Sequence, residues 1–225
     1  MRRFITTLFL SICVHFSMNS QTNDKYEIRA TWLTTLGGMD WPKTKAQSSD
    51  AIERQKKELC DILDRLKEAN FNTILFQTRL RGDVVYPSSI ETFAECLTGK
   101  TGADPGYDPL AFAIDECHRR GMEFHAWIVT IPIGNVRQVN LLGRNSIVKK
   151  NRSTCKYFNQ NWYLDPGNPA TKKYLTGIVN EIVSKYDVDG VHLDYIRYPE
   201  NASAFPDKDT FRKYGKGKEI KEWRR

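Results

Sequence analysis

Three short stretches concentrate the residues that can do chemistry. His192-Leu-Asp194-Tyr195-Ile-Arg197-Tyr198 sets a carboxylate among aromatic and basic side chains, and His125-Ala-Trp127 alternates an imidazole with an indole. Gln77-Thr-Arg79-Leu-Arg81-Gly-Asp83 spaces its polar groups in the same way. Alternation of this kind marks a strand with one polar face. A carboxylate at the end of such a strand can act as acid, base or nucleophile. Trp127, Tyr195 and Tyr198 can stack on the apolar faces of sugar rings, while Arg79, His125 and His192 satisfy hydroxyls. Phosphate chemistry would call for a backbone nest or a metal-ligand cluster, and the sequence has neither. A glycan is therefore the preferred ligand, with Asp194 as the catalytic carboxylate and Arg197 and Tyr195 to orient it.

Simpler roles stay open for each of these residues. Asp194 could pair with Arg197 or Arg79 and only fix a loop, and His125, His192 and Trp127 could be satisfied interior side chains. Arg79, Arg81 and Asp83 could clamp the loop that follows them, and Asp165 before Pro166 reads as a turn or helix entry rather than a catalyst.

The elements that must position these groups alternate along the chain. Residues 27–36, 72–79, 123–130 and 190–196 read as strands. Between them, residues 50–70, 109–120 and 169–186 read as helices, the second capped by Asp108 and ended by Gly121, the third opened by Pro169. A basic stretch from Asp209 reads as a fourth helix. Four β-α units in series make a parallel sheet with right-handed crossovers, either doubly wound or a (β/α)8 barrel. No glycine-rich phosphate turn follows any strand, and long loops follow the second and third strands, so the expectation is the TIM-barrel type. Alternation then turns Leu75, Gln77 and Arg79, His125 and Trp127, and His192, Asp194 and Ile196 toward the barrel interior, and leaves the first strand ambiguous at Trp32.

Composition narrows the partners. The formal net charge of +7 would raise nucleic acid, but it belongs to the two ends. Between residues 20 and 207 the chain carries 24 Lys and Arg against 23 Asp and Glu, so a nucleic-acid partner is not expected. Arg2 and Arg3 ahead of the apolar run Phe4–Val14 predict an export signal over residues 1–20, hence a periplasmic or secreted product. Ile12 before Cys13 argues against a lipoprotein, and no transmembrane segment is expected in the mature chain. Of the four remaining cysteines, Cys60 and Cys117 read as packed thiols, and Cys96 and Cys155 as loop residues able to pair. No cysteine or histidine spacing suggests a metal, and hydrolysis of this kind needs no cofactor.

EIRATWLTTL (27–36), FNTILFQTRLRGDVVYPSSIE (71–91), GYDPLAFAIDECHRRGMEFHAWI (106–128) and YLDPGNPATKKYLTGIVNEIVSKYDVDGVHLDYIRYP (163–199) together resemble the glycosyl hydrolase-like 10 family of exported (β/α)8 proteins. The RGDxxYPS and DGVHLDYIRYP segments are the most specific parts, and the likeness spans residues 26–225. It implies a glycoside hydrolase fold and cleavage of polysaccharide, in the family's characterised members bacterial cell-wall glycan. Asp194 matches the acidic position after the fourth strand, Arg79 and Asp83 the loop after the second, and His125 and Trp127 the third-strand motif. The chain departs from the family at Leu80, where relatives carry proline, and at Ile128-Val-Thr-Ile-Pro132, where they continue with an Asn-Pro-Tyr-like run. Glycoside hydrolysis needs two carboxyl groups, and the second is not identifiable, since Glu200 reads as a loop residue. Four β-α units are half a barrel, so the expected domain is a TIM barrel truncated to about its first four units, and the alternatives are a non-catalytic carbohydrate-binding protein or an inactive truncated product.

Overall fold

The computed structural model describes residues 27–224, and the expected export signal lies outside them. In chain order come β1 (Ala30–Leu33), α1 (Ser49–Glu68), β2 (Thr73–Arg79), β3 (Asp83–Val84), β4 (Thr92–Phe93), α2 (Glu95–Thr98), α3 (Pro109–Arg119) and β5 (Glu123–Val129). An insertion follows, made of β6 (Pro132–Asn135), α4 (Val136–Leu142), α5 (Ile147–Lys150), β7 (Cys155–Phe158) and β8 (Asn161–Leu164). Then come α6 (Pro169–Lys185), β9 (Gly190–Asp194), α7 (Lys208–Tyr214) and α8 (Ile220–Trp223).

Local chemistry starts the three long helices. The Ser48 hydroxyl accepts from the Ala51 N–H at 3.2 Å, and Asp108 accepts from Leu110 and Ala111 at 3.0 and 3.1 Å. Asn168 accepts from Ala170 at 3.0 Å, with Pro169 as first helical residue. Each cap satisfies donors that the first turn leaves unpaired, a contribution of about 1 kcal/mol apiece.

The strands β1, β2, β5 and β9 lie side by side, parallel, in the order in which the chain makes them. A doubly wound sheet would reverse direction at a switch point. This one never does, so its winding is single, and among the described residues β1 and β9 are the edges of its parallel part. The outer face carries Ile74, Phe76, Phe124, Ala126 and Ile128, all buried against Leu59, Leu63, Leu110, Ile114, Ile178 and Ile182 of the helices. Phe76 and Phe124 meet with ring centroids 5.4 Å apart. Trimming either to alanine would cost about 3–5 kcal/mol, which makes this layer the part of the fold most sensitive to substitution.

The inner face is concave. Four adjacent strands at the usual spacing put the edges about 14 Å apart along the sheet. Yet Trp32 of β1 and His192 of β9 meet with ring centroids only 5.9 Å apart. The sheet must curl to bring them together, and Trp32 thereby takes the inner face while Leu33 enters the core.

Several expectations need correction. The first strand is four residues long, because the Gln77 side-chain carbonyl accepts from the Thr35 and Leu36 N–H groups at 3.0 and 2.8 Å and turns the chain aside. Both long loops are structured. The second holds a three-stranded antiparallel sheet in the order β6-β8-β7 with its own core of Ile131, Ile133, Val139, Val148 and Leu164. Ile196 does not face inward. Tyr195 takes a left-handed φ of 52°, ending the strand, and Ile196 joins Leu193 over Leu175 and Val179 on the outer side. Cys96 sits in the main core and Cys155 in the insertion's core, both as free thiols, so they do not pair. The basic segment forms two short helices rather than one. No helix among the described residues is long and apolar enough to cross a membrane.

Candidate active site

Asp194 ends β9, and its surroundings hold it by both backbone and side chain. Its carbonyl accepts from the Thr130 N–H at 2.9 Å and the Thr130 hydroxyl at 2.7 Å. Its carboxylate accepts from Trp127 Nε1 at 3.0 Å and from the Tyr195 N–H at 2.7 Å. The left-handed turn at Tyr195 aims that N–H back at the side chain, a conformation that costs a non-glycine residue about 1 kcal/mol or more. No Lys, Arg or His among the described residues forms an ion pair with it. The two arginines that could have neutralised it are engaged elsewhere. Arg79 pairs with Glu91, and Arg197 pairs with Glu200 at 2.9 Å and lies over the Tyr195 ring. Asp194 is thus oriented by Trp127 and the Tyr195 backbone, and Arg197 does not share in that task.

A cleft of about 420 Å³ opens between the strand ends and the insertion, lined by Trp127 and Tyr195, the two residues that hold the Asp194 carboxylate, which lies behind them and is not part of its lining. Trp127, Gln77 and Tyr195 line it from the sheet side, Asn161 and Tyr163 from β8, and Arg81, Arg197 and Glu200 from the rim. Gln77 spends its carbonyl on the turn after β1, which leaves its amide N–H groups for the cleft. Below it the His192 ring stands edge-on to both Trp32 and Trp127, 5.9 and 6.5 Å away, and accepts from Trp32 Nε1 at 3.3 Å. Aromatic rings and amide donors lining a cleft, with a carboxylate held directly behind them, are what a sugar ring requires: stacking for its C–H faces and polar partners for its hydroxyls.

Four expected substrate contacts, Arg79, His125, Tyr198 and Asp83, lie elsewhere. Arg79 is fully buried: it grips both oxygens of Glu91 at 2.8 and 2.7 Å, and it also donates to the carbonyls of Val129 and Thr130. Tyr174 of α6 donates to the same Glu91 at 2.5 Å. This arginine fastens loop to sheet and has no face left for a ligand. His125 lies one layer below Trp127, beside Gly190 in the register, and its Nε2 reaches Glu123 at 3.2 Å toward the opposite end of the strand. Gly190 is required there, since a Cβ would come within 2.7 Å of the imidazole. Tyr198 packs edge-on against Phe205, 5.5 Å between centroids, and burial with Asp207 beside it pushes its phenol pKa up. It belongs to the packing of the C-terminal segment.

Asp83 borders a different cleft, of about 570 Å³, together with Lys45, Glu95, Arg81 and Arg137. Burial pushes its pKa up to about 6, against the pull of the Arg81 N–H that it accepts at 3.1 Å. Asp165 is buried and accepts from the Thr210 hydroxyl at 2.5 Å, anchoring α7 to the start of α6. Sequence reasoning missed Asn161 and Tyr163, because the strand that carries them lay in a stretch read as loop. It also missed Glu181, a carboxylate on the buried side of α6 that receives Tyr86 at 3.0 Å, the Ser88 hydroxyl, and both the N–H and the hydroxyl of Ser89 at 2.7 Å. Its signal was legible as a charge between Ile178 and Ile182 on an otherwise apolar face. No group of His, Cys, Asp and Glu among the described residues could hold a metal ion.

The chain has counterparts among known proteins. Residues 27–225 match the family model described as "Glycosyl hydrolase-like 10". The chain is 35% identical over 231 residues to "Glycosyl hydrolase YngK" of Bacillus subtilis, which takes in 99% of this chain and 44% of that protein. It is 37% identical over 213 residues to "Glycosyl hydrolase DigH" of Escherichia coli, 88% of this chain and 48% of that protein. It therefore spans less than half the length of these curated relatives. Among solved structures, the chitobiase of Flavobacterium johnsoniae superposes with a TM-score of 0.53 at 15% identity, over 87% of this chain and 28% of that one, a likeness of fold.

Proposed function

The chain belongs to the glycosyl hydrolase-like 10 family, and from that premise we propose that it forms the first four β-α units of a (β/α)8 glycoside hydrolase, exported to act on bacterial cell-wall glycan. The single winding of the sheet and its curl from Trp32 to His192 support the barrel. The observation that carries the catalytic reading is Asp194: a strand-end carboxylate, fixed by Trp127, in no ion pair with any described residue, and adjoining an aromatic cleft through Trp127 and Tyr195.

In this reading Asp194 meets the developing positive charge at the sugar's anomeric carbon, as nucleophile or as base for water, and its partner carboxyl protonates the leaving oxygen. Glu200 borders the cleft, but its side chain is 84% exposed and engaged with Arg197 at 2.9 Å. The acid is expected from the part of the longer relatives that this chain does not span. Trp127 stacks on or beside the sugar while its N–H holds the carboxylate in place.

The test is incubation of the full-length protein with intact and with peptide-stripped peptidoglycan, followed by measurement of released reducing ends. Release from either substrate is expected. Binding of the glycan without release would make the protein a carbohydrate-binding module, and neither binding nor release would remove the cell-wall assignment.

A further inference from the structure

Arg81 stands apart from the other arginines of the strand-end face. Arg79 and Arg197 each have a carboxylate partner, whereas the half-buried residue Arg81 forms no ion pair with any described residue. Its backbone is firmly placed. Leu80 and Arg81 donate to the Asp83 carbonyl and carboxylate at 3.0 and 3.1 Å. Gly82, at a φ of +79°, lies so close to the insertion that a Cβ would sit 3.3 Å from Ile133. The side chain emerges from this turn where two clefts meet: Arg81 and Leu36 line both the 420 Å³ cleft beside Asp194 and the 570 Å³ cleft of Lys45, Asp83 and Arg137.

We propose that the two clefts are one groove across the strand ends, and that Arg81 at their junction binds a carboxylate carried by the sugar polymer that runs through it. The proposal rests on the glycan reading of the Asp194 site and adds to it the charge of the substrate. Each cleft alone has the volume of a small-molecule site, so the pair accommodates several linked sugars. A guanidinium on a half-buried residue, with Asp83 near enough to act on it but no carboxylate in contact, is under-satisfied, and its planar fork matches a carboxylate with two parallel hydrogen bonds. Neutral sugar hydroxyls would satisfy the donors but leave the charge unmatched. Lys45 and Arg137 add positive charge to the outer cleft, where Asp83 and Glu95 are the acids.

The experiment measures dissociation constants of the full-length protein for two pairs of probes by calorimetry. One pair is peptide-stripped peptidoglycan oligosaccharide and its methyl ester, whose carboxylate is the lactyl group. The other is a uronic-acid oligosaccharide and its methyl ester. Wild type is expected to prefer a free acid to its ester by about tenfold or more, as a charge-assisted bidentate contact would give. The pair that shows the preference identifies the source of the carboxylate. Arg81→Gln should bring that ratio to about one, and Arg81→Lys should leave it intermediate, with melting curves to establish that both variants fold. Equal affinities for acid and ester in wild type, or an undiminished ratio in Arg81→Gln, would overturn the proposal. Cleavage of glycan without any carboxylate preference would remove Arg81's role and leave the Asp194 reading standing. An Arg81-dependent preference without cleavage by wild type would do the reverse.

Discussion

Replacing Arg79 by Met tests whether the loop after β2 is held by a buried ion pair. The substitution leaves Glu91, only 2% exposed at its side chain, with Tyr174 as its remaining polar partner. Removing one member of such a pair costs about 3–5 kcal/mol, because the survivor is a buried charge without compensation. The carbonyls of Val129 and Thr130 also lose their donor, at about 1 kcal/mol or more each. A total near 5 kcal/mol would consume most of the stability of a typical domain. The damage should also reach the site, since Thr130 holds the Asp194 carbonyl. Urea denaturation of the full-length protein, followed by tryptophan fluorescence, gives the free energies for Arg79→Met, Glu91→Leu and the double variant. The double variant is expected to recover at least about 2 kcal/mol relative to the sum of the singles, because it removes the orphaned charge along with its partner. A loss below about 1 kcal/mol in Arg79→Met, or strict additivity in the cycle, would refute the reasoning.

Three further perturbations address other parts of the molecule. The folded pKa of Asp83, about 6, lies above its ordinary 3.8, so the folded chain holds this proton more tightly, and the stability thus gained is present below about pH 4 and lost as pH rises through 6. Asp83→Asn keeps the acceptor for the Arg81 N–H and should melt higher than wild type at pH 7.5, by up to about 3 kcal/mol in stability, and alike at pH 4; equal melting at both values would contradict the burial. Glu181 runs the other way: burial alone would raise its pKa, but the Ser88 and Ser89 hydrogen bonds outweigh it and hold the pKa at about 2. Its contribution, about 2 kcal/mol, is present above pH 4.5 and lost as pH falls toward 2, so Glu181→Gln should flatten the acid limb of the stability profile. Trp127→Phe keeps an aromatic floor and deletes only the donor to Asp194, and should lower kcat about tenfold or more with KM little changed. An unaltered kcat would show that the indole N–H does not orient the carboxylate.

The parallel core was legible in the sequence because its signals are local. Ile74 and Phe76, or Phe124, Ala126 and Ile128, alternate strictly, and Ser48, Asp108 and Asn168 stand just ahead of helical patterns. What escaped was decided by contacts distant in sequence. Arg79 looks like a ligand residue until Glu91, twelve residues on, and Tyr174 of α6 close around it. The YPSS run reads as a loop marking until Glu181, more than ninety residues away, collects Tyr86, Ser88 and Ser89. Ile196 escaped for a local reason: one residue in a left-handed conformation, Tyr195, breaks the alternation that any periodicity argument assumes. The insertion after β5 escaped because its strands are four residues long and its helices four to seven, too short for a pattern to register. Around the candidate site, alternation put Asp194, Trp127 and His192 on one face, and Tyr195 was named for its aromatic ring; the structure brings the four into contact.

The central claim is that the Asp194 carboxylate takes part in breaking the glycosidic bond. Its most direct measurement is the rate of reducing-end release from peptide-stripped peptidoglycan by full-length wild type and Asp194→Asn, beside glycan affinity for each. Asparagine retains an acceptor for one of the two donors, Trp127 Nε1 or the Tyr195 N–H, and the Thr130 contacts to the backbone carbonyl are untouched, so fold and binding should survive, which melting curves check. The account predicts a loss of turnover by at least about a thousandfold with affinity within a few-fold of wild type. Turnover by Asp194→Asn at the wild-type rate would contradict it.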